Sequence, residues 1–335
     1  MLQQAKKAGR RFLNPVPTTV VELGMIFKLL PRYLTNKAET FPARPVGPFT
    51  TEIAMYSVAP ASGLRVTWIG HSSLLVEIDG VRVLIDPVWD ERASPLRWIG
   101  PKRFFAAPLR LEDLPSVDAV LVSHDHYDHL GKATIQRLAA LPSMQQTQWV
   151  TSLGVGASLQ SFGVSPGRIV ELDWTHSVSV ANGALAMTAV PSRHFSGRSI
   201  FNRFHTLWSS FVLKSAHHTV FFGADSGWWQ GFAEIGAKYG PFDLTMLEIG
   251  AFDAMANMIH LGPDGAARAF EALGGKGLMM PIHWGLFDLA LHDWRQPIER
   301  MLEVADEKGI ALWSPEPGRP TEVVEGVELR SDWWR

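Results

Sequence analysis

From His124 to His129 the chain reads HDHYDH, an HxHxDH spacing that gathers three imidazoles and the carboxylate of Asp128 into six residues. Three of the chain's 12 histidines in so short a run argue for a divalent metal site rather than for a polar loop that merely caps a helix. Neutral imidazole suits zinc, while a carboxylate adds charge and tolerates bridging between ions. The apolar run Val117 to Val122 before the block reads as a buried strand, and Leu130, Gly131 and Lys132 lead into ATIQRLAAL, which reads as a helix. The ligand candidates therefore lie on a strand-to-helix loop. In a locally extended loop alternate residues share a face, so His124 and His126 can converge on one ion while Asp128 and His129 turn toward a second.

Such a centre needs more ligands than one loop offers. His194 follows ALAMTAVPSR, Asp225 follows TVFFGA and His283 follows KGLMMPI. Each comes just after an apolar strand-like run, where a side chain can project from a sheet edge into a shared cleft.

The elements that must position these groups begin after about residue 60. Residues 1–60 hold several prolines and little strand pattern, and read as an arm docking on a domain that spans 61–335. Strands are predicted at Leu64 to Trp68, Ser72 to Ile78 and Val81 to Ile85, with Asp79-Gly80 turning the last pair. Further strands are predicted near 147–151, 168–171, 176–180, 184–190, 207–213 and 218–223, and helices near 153–161, 228–238, 263–273 and 294–306. Hairpin strands followed by strands alternating with helices predict an α/β (α+β) protein, its sheets carrying helices on their outer faces. The long segment 88–108 contains Trp89, Arg92, Arg97, Trp98, Lys102, Arg103, Phe104 and Phe105, a composition suited to the rim of a site or to a packed lid.

Composition narrows the chemistry. With 335 residues and 46% hydrophobic content the chain can bury a large core. A net charge of −2 provides no global basic field for nucleic acid or an anionic membrane. Cysteine is absent, so disulfides, thiolate ligands and a cysteine nucleophile are excluded, and any metal is held by His, Asp or Glu. Near the N-terminus the apolar stretch 20–34 is interrupted by Glu22, Lys28, Pro31 and Arg32, which argues against a signal peptide or a spanning helix. The expected location is cytoplasmic, with peripheral attachment to the inner membrane face. Met25, Ile26, Leu29, Leu30 and Leu34 can share one face of an amphipathic helix that either lies on a membrane or packs on the protein body.

The sequence resembles the metallo-β-lactamase superfamily and, within it, the N-acyl-phosphatidylethanolamine-hydrolysing phospholipase D family. The resemblance runs from FLNPVPT to about residue 290. It rests on VTWIGHSSLLVEIDGVRVLIDPVW, RASPLRWIGPKRF, LVSHDHYDHL, PSRHFSGR, FFGADSGW and PIHWGLF. HxHxDH specifies the superfamily; GPKRF together with PIHWG narrows it. The resemblance implies an αββα sandwich, two mixed sheets packed face to face with helices outside and metals at one edge. It assigns His124, His126 and His194 to one zinc, Asp128, His129 and His283 to the other, and Asp225 as the bridge.

It also places His260 near the substrate, as a proton donor or contact, with a helix cap as the competing reading. Asp86 either orients a ligand histidine or initiates a turn before Pro87, and His71 either supports a ligand or is structural. His176, His205, His217, His218 and His292 have no supporting motif. Two divalent ions, zinc first with manganese or iron as alternatives, would acidify a water for attack on a phosphodiester. The implied substrate is N-acylated phosphatidylethanolamine, cut to phosphatidic acid and an N-acylethanolamine, with Asp128 and Asp225 essential. Arg97, Lys102 and Arg103 suit its phosphate or an anionic surface; Trp89, Trp98, Phe104 and Phe105 suit its acyl chains. Alternatives are hydrolysis of a lactone, an amide or a soluble phosphodiester on the same scaffold, or a metal-containing lipid-binding protein with little turnover.

Overall fold

A computed structural model describes residues 1–20, 31–32, 35–253, 258–324 and 330–335. The amphipathic face of Met25 to Leu34 lies outside the described residues.

Fifteen strands form among the described residues. The hairpin β1 (Lys7–Ala8) and β2 (Arg11–Phe12) stands apart. A seven-stranded sheet takes β3 (Leu64–Gly70), β4 (Ser73–Ile78), β5 (Val81–Ile85), β6 (Ala119–Val122), β7 (Gln148–Ser152), β8 (Ile169–Leu172) and β15 (Thr321–Glu322), in the order β15-β3-β4-β5-β6-β7-β8. A six-stranded sheet takes β9 (Ser177–Val180), β10 (Leu185–Pro191), β11 (Ser209–Lys214), β12 (Thr219–Phe222), β13 (Leu244–Glu248) and β14 (Leu278–Ile282), in the order β14-β13-β12-β11-β10-β9. Both sheets are mixed: β5, β6, β7 and β8 run parallel, as do β12, β13 and β14, while the hairpin strands pair antiparallel. Pro281 sits in β14, at the end of its sheet, where a missing N–H breaks no ladder.

The two-residue period of each strand builds the layers. In β4, Leu74, Val76 and Ile78 enter the core between the sheets, together with Met187 and Ala189 of β10 and Phe211 of β11. Leu75 points the other way and packs with Val120, Trp149, Ile135 and Leu138, so α1 (Lys132–Ala140) and α2 (Gly156–Ser161) cover the outer face of the seven-stranded sheet. Helices α3 (Gly231–Tyr239), α4 (Gly262–Ala272) and α5 (Gln296–Lys308) supply Phe232, Ile235, Ala266, Phe270, Ile298 and Met301 to the larger core cluster. The result is the αββα sandwich.

This topology aims many strand ends at one edge. Strands β3, β5 and β6 point the same way, because two antiparallel steps restore direction and β6 is parallel to β5. By the same count β10, β12, β13 and β14 share a direction. The residues that follow these strands are His71, Asp86, Ser123-His124, His194, Asp225, Ile249 and His283. Five turns at this edge place non-glycine residues at positive φ, at His71 (55°), Asp86 (39°), Ala224 (47°), Ala251 (53°) and His283 (62°). Such conformations persist where packing over-determines them. Beneath His283, Trp284 stacks on Trp68 and on Trp333, with ring centroids 5.4 and 5.2 Å apart. Each such aromatic pair adds roughly 0.5–1.5 kcal/mol beyond its buried area and stiffens the turn that carries the histidine. Gly250 permits the approach of the same turn, since a Cβ there would lie 2.0 Å from the His283 carbonyl oxygen.

Candidate metal centre

Among the described residues donor atoms gather in three overlapping groups; two nests of imidazoles meet at Asp225, and a third group joins Asp225 and His283 to Glu248 and His260. In the first, His124, His126 and His194 converge: His124 Nε2 lies 2.9 Å and His194 Nε2 3.2 Å from His126 Nδ1, and Asp225 Oδ2 is 3.8 and 3.5 Å from the Nε2 atoms of His124 and His194. In the second, His283 Nε2 and His71 Nε2 lie 3.3 and 3.1 Å from Asp128 Oδ2, with His129 Nε2 at 3.8 Å. Asp225 faces this nest as well, through Oδ1 to His129 Nε2 at 3.1 Å and Oδ2 to His283 Nε2 at 3.2 Å. One carboxylate thus touches four imidazoles from two sides.

The electrostatics are those of a site suited to a cation. Burial pushes the His283 imidazole down, but the charge of Asp225 and contact with Asp128 outweigh it and hold the group at about 10. Burial likewise opposes protonation of His129, yet Asp225 and Asp128 keep it well above the ordinary imidazole range. Asp225 is pushed up by burial and then pulled well below the carboxylate range by His129 and His283. Protonated imidazoles thus supply the positive charge that these carboxylates demand.

Hydrogen bonding tells the same story. His129 Nε2, His283 Nε2 and Asp225 Oδ1 are buried without a hydrogen-bond partner among the described residues, an arrangement that would be costly unless something else met them. All the donors are imidazole or carboxylate, a set that fits zinc, manganese or iron. The residues present fit divalent ions.

The metal-free protein offers a test. Because the folded value of His283 lies above its ordinary 6.5, its contribution to stability is fully present below about pH 6.5 and lost as pH rises to about 10. In chelator-treated protein, the Tm difference between wild type and His283→Gln should therefore shift against wild type across that window in calorimetry; a shift in its favour contradicts this electrostatic account.

Outer contacts fix the rings. Asp86 accepts from His129 Nδ1 at 2.7 Å, from Ser123 N at 2.7 Å and from Ser123 Oγ at 2.6 Å, and Ser123 Oγ lies 3.0 Å from His124 Nδ1. His194 Nδ1 donates to Ile259 O at 2.8 Å. Both are ways of setting which imidazole nitrogen faces the site. His71 packs on His283 with centroids 4.0 Å apart; burial and the charge of His283 push it down to about 3, so it stays neutral. The HDHYDH loop is clamped from the HFSGR segment: Gly197 N donates to Asp125 Oδ1, and the Arg198 guanidinium lies 3.9 Å from the Tyr127 ring centroid and donates to Asp125 O and Leu130 O.

Sequence reasoning passed over three contributors. Asn14, in the FLNPVPT segment, holds the His194 backbone with two hydrogen bonds, Nδ2 to His194 O and His194 N to Oδ1. Asp90 accepts from Ala133 N and Thr134 N at the start of α1, a contact that only glycine at 131 allows, since a Cβ there would lie 2.1 Å from its Oδ2. Glu248, at the end of β13, accepts from His260 Nδ1 at 2.6 Å. Burial depresses His260, but the Glu248 charge holds it above the ordinary range.

The candidate substrate residues divide into two groups. The 88–108 segment folds back on itself, Arg92 against Lys102 and Arg103 N to Glu91 O. Its tip exposes Leu96 (42%), Arg97, Trp98 (74%) and Ile99 (53%) to solvent. Its base is anchored, Phe104 N bonding Leu286 O. Lys102, Arg103 and Phe104 line a cavity of about 620 Å³ with Phe41, Arg44 and Asp288. Phe104 and Asp288 also line a small cavity at His283, so the groove abuts the centre. The Arg103 guanidinium is drawn down to about 10 by burial; Nη1 donates to Trp89 O, and Nε and Nη2 are buried without partners among the described residues. Lys102 pairs with Glu91 at 3.0 Å. Arg97 and Trp98 do not line the groove.

Related proteins share the family and the fold. The beta-lactamase superfamily domain matches residues 81–284. An uncharacterized protein of Mycobacterium tuberculosis is 44% identical over 295 residues, 88% of this chain and 77% of that one. N-acyl-phosphatidylethanolamine-hydrolyzing phospholipase D 1 of Caenorhabditis elegans is 34% identical over 256 residues, 74% of this chain and 71% of that one. Among solved structures, the isothiocyanate hydrolase from Delia radicum gut bacteria shares the fold, with a TM-score of 0.63 and 21% identity over 77% of this chain and 99% of that one. The chain belongs to the metallo-β-lactamase superfamily of metal-dependent hydrolases and stands close to its N-acyl-phosphatidylethanolamine-hydrolysing phospholipase D family.

Proposed function

We propose that this chain is a dinuclear, zinc-dependent phosphodiesterase of phospholipase D type, acting on N-acyl-phosphatidylethanolamine-like lipids at a membrane surface. The observation that carries the reading is Asp225, whose two carboxylate oxygens face separate imidazole nests. A mononuclear structural site has no use for such a bridge, whereas a carboxylate shared by two ions would hold them close enough to act on one phosphoryl group. His124, His126 and His194 would hold one ion, Asp128, His129 and His283 the other, and Asp225 both. Bound there, divalent ions would supply Lewis acidity and lower the pKa of water, so that hydroxide is available as nucleophile near neutral pH.

The chain's own groups do the rest. Asp86 and Ser123 hold the ligand rings, and His260 at the rim provides a proton for the departing headgroup oxygen. Lys102, Arg103 and Arg44 give the adjoining groove a positive wall suited to an anionic headgroup. Residues 61–335 form the hydrolase unit in this reading, with residues 1–60 docked on it through Asn14 and Thr18. Among the described residues no helix is long and apolar enough to cross a membrane. The exposed side chains of Leu96, Trp98 and Ile99 form the surface that meets lipid in this reading.

Hydrolysis of N-acyl-phosphatidylethanolamine in mixed micelles tests the reading. Release of phosphatidic acid and N-acylethanolamine supports it, whereas turnover confined to lactones, amides or soluble phosphodiesters keeps the hydrolase and removes the lipid. Replacing Leu96, Trp98 and Ile99 together by serine should raise KM for vesicle-borne substrate about 10-fold more than KM for a short-chain soluble analogue, about 1.4 kcal/mol of lost surface affinity. Equal effects on the two substrates would remove the loop tip from the lipid contact.

A further inference from the structure

We propose that Glu248 is the positioning residue that makes His260 a proton donor, by fixing which imidazole nitrogen faces the reacting phosphodiester. The inference rests on the phosphodiesterase reading above and adds to it the device that delivers the leaving-group proton.

Glu248 is wholly buried, while the His260 side chain is 13% exposed at the mouth of the site. Its carboxylate is tied at three points. Oε1 accepts from Ser226 N at 2.7 Å and from Leu261 N at 3.2 Å, and Oε2 accepts from His260 Nδ1 at 2.6 Å. Ser226 follows Asp225 and Leu261 follows His260, so one carboxylate couples both segments to the end of β13. Glu248 also lies 3.8 Å from His283 Nδ1, on the side of that ring turned away from the ligand nest. The His260 ring sits between the two nests, with centroids 5.1 Å from His194 and 5.3 Å from His283.

The chemistry follows from the tautomer. An ionised Glu248 is an acceptor only, so Nδ1 must carry the hydrogen it donates, and Nε2 is left as the nitrogen that exchanges protons. When the bond from phosphorus to the headgroup oxygen breaks, that oxygen takes the Nε2 proton and leaves as an alcohol. Water supplies the oxygen that phosphorus gains, and the proton lost from that water restores His260. His260 Nδ1 keeps its hydrogen and donates it to Glu248 throughout, and the carboxylate stabilises the imidazolium state by its charge, the part a buried carboxylate plays beside a catalytic histidine.

Glu248→Gln isolates this role. The Gln oxygen can still accept from Ser226 N and Leu261 N, which preserves the brace, but its amide then presents N–H to His260 Nδ1. Nδ1 must become an acceptor, and Nε2–H then belongs to a neutral, weakly acidic imidazole. Kinetics on a phosphatidyl ester with an alkyl alcohol leaving group and on its p-nitrophenyl counterpart separate the outcomes, because p-nitrophenolate departs without protonation. Metal-replete Glu248→Gln should lose about 10²-fold in kcat on the alkyl ester, with KM within about 3-fold, and several-fold at most on the p-nitrophenyl ester. Metal content should match wild type.

His260→Ala should show the same discrimination, and the double variant no further loss, which keeps the inference testable if Glu248→Gln folds poorly. Equal losses on both esters, loss of metal from Glu248→Gln, or additive single effects overturn the role of Glu248. Wild-type protein that cleaves neither ester instead defeats the phosphodiesterase reading, a distinct failure.

Discussion

Asp225→Ala should lower kcat by at least about 10³-fold, equivalent to about 4 kcal/mol of transition-state stabilisation, and reduce the metal retained per chain. The carboxylate contacts four imidazoles, His124, His129, His194 and His283, at 3.1 to 3.8 Å. Its removal leaves those rings without the negative charge that both nests share. Because Asp225 is buried beyond β12, a cavity at its position does not unravel the sheet; the protein should fold and fail in chemistry. Metal analysis beside steady-state kinetics checks this. A metal-replete Asp225→Ala enzyme with near-wild-type turnover would remove the bridging role.

The second large effect is expected at Asp86, which offers no atom to either nest but holds the His129 ring from its far nitrogen. Asp86→Ala strands Ser123 N, Ser123 Oγ and His129 Nδ1, three buried donors that its carboxylate satisfies. Each unsatisfied group costs roughly 1–3 kcal/mol, so stability should fall by several kcal/mol. The free His129 ring should weaken metal binding about 10–100-fold, the usual effect of removing an orienting partner. Asp86→Asn separates the two losses: its oxygen can still accept from Ser123, while its amide opposes His129 Nδ1–H. That variant should keep more stability than Asp86→Ala yet still bind metal weakly. Denaturant unfolding with a competitive metal titration decides it; a variant with both properties intact would return Asp86 to a turn residue.

Legibility in the sequence followed the range of the interactions. The candidate ligands stand out because His124, His126, Asp128 and His129 crowd into six residues, while His194, Asp225 and His283 each follow an apolar run. The strands carrying them are visible for the same reason, as in Val81 to Ile85 and Thr219 to Phe222. Strand β13 is not among the sequence-based assignments: Leu244–Glu248 is only five residues long and ends in an acid, a residue type uncommon in a fully buried strand. Only its parallel pairing between β12 and β14 sets Glu248 beside Asp225 and His283.

Asn14 was illegible on similar grounds, since it meets His194 across 180 positions. The small hairpin of β1 and β2 gave no alternation long enough to register. In the 88–108 segment composition signalled a rim, but not its division into an exposed tip with Trp98 and an anchored base with Phe104, which depends on tertiary contacts such as Phe104 N to Leu286 O.

The central claim is that two donor nests share Asp225 and each hold a divalent ion. Metal content of purified, metal-reconstituted protein, measured by mass spectrometry against protein concentration, tests it most directly. The account predicts two ions per chain for wild type. One ion per chain, or none after reconstitution, would contradict it.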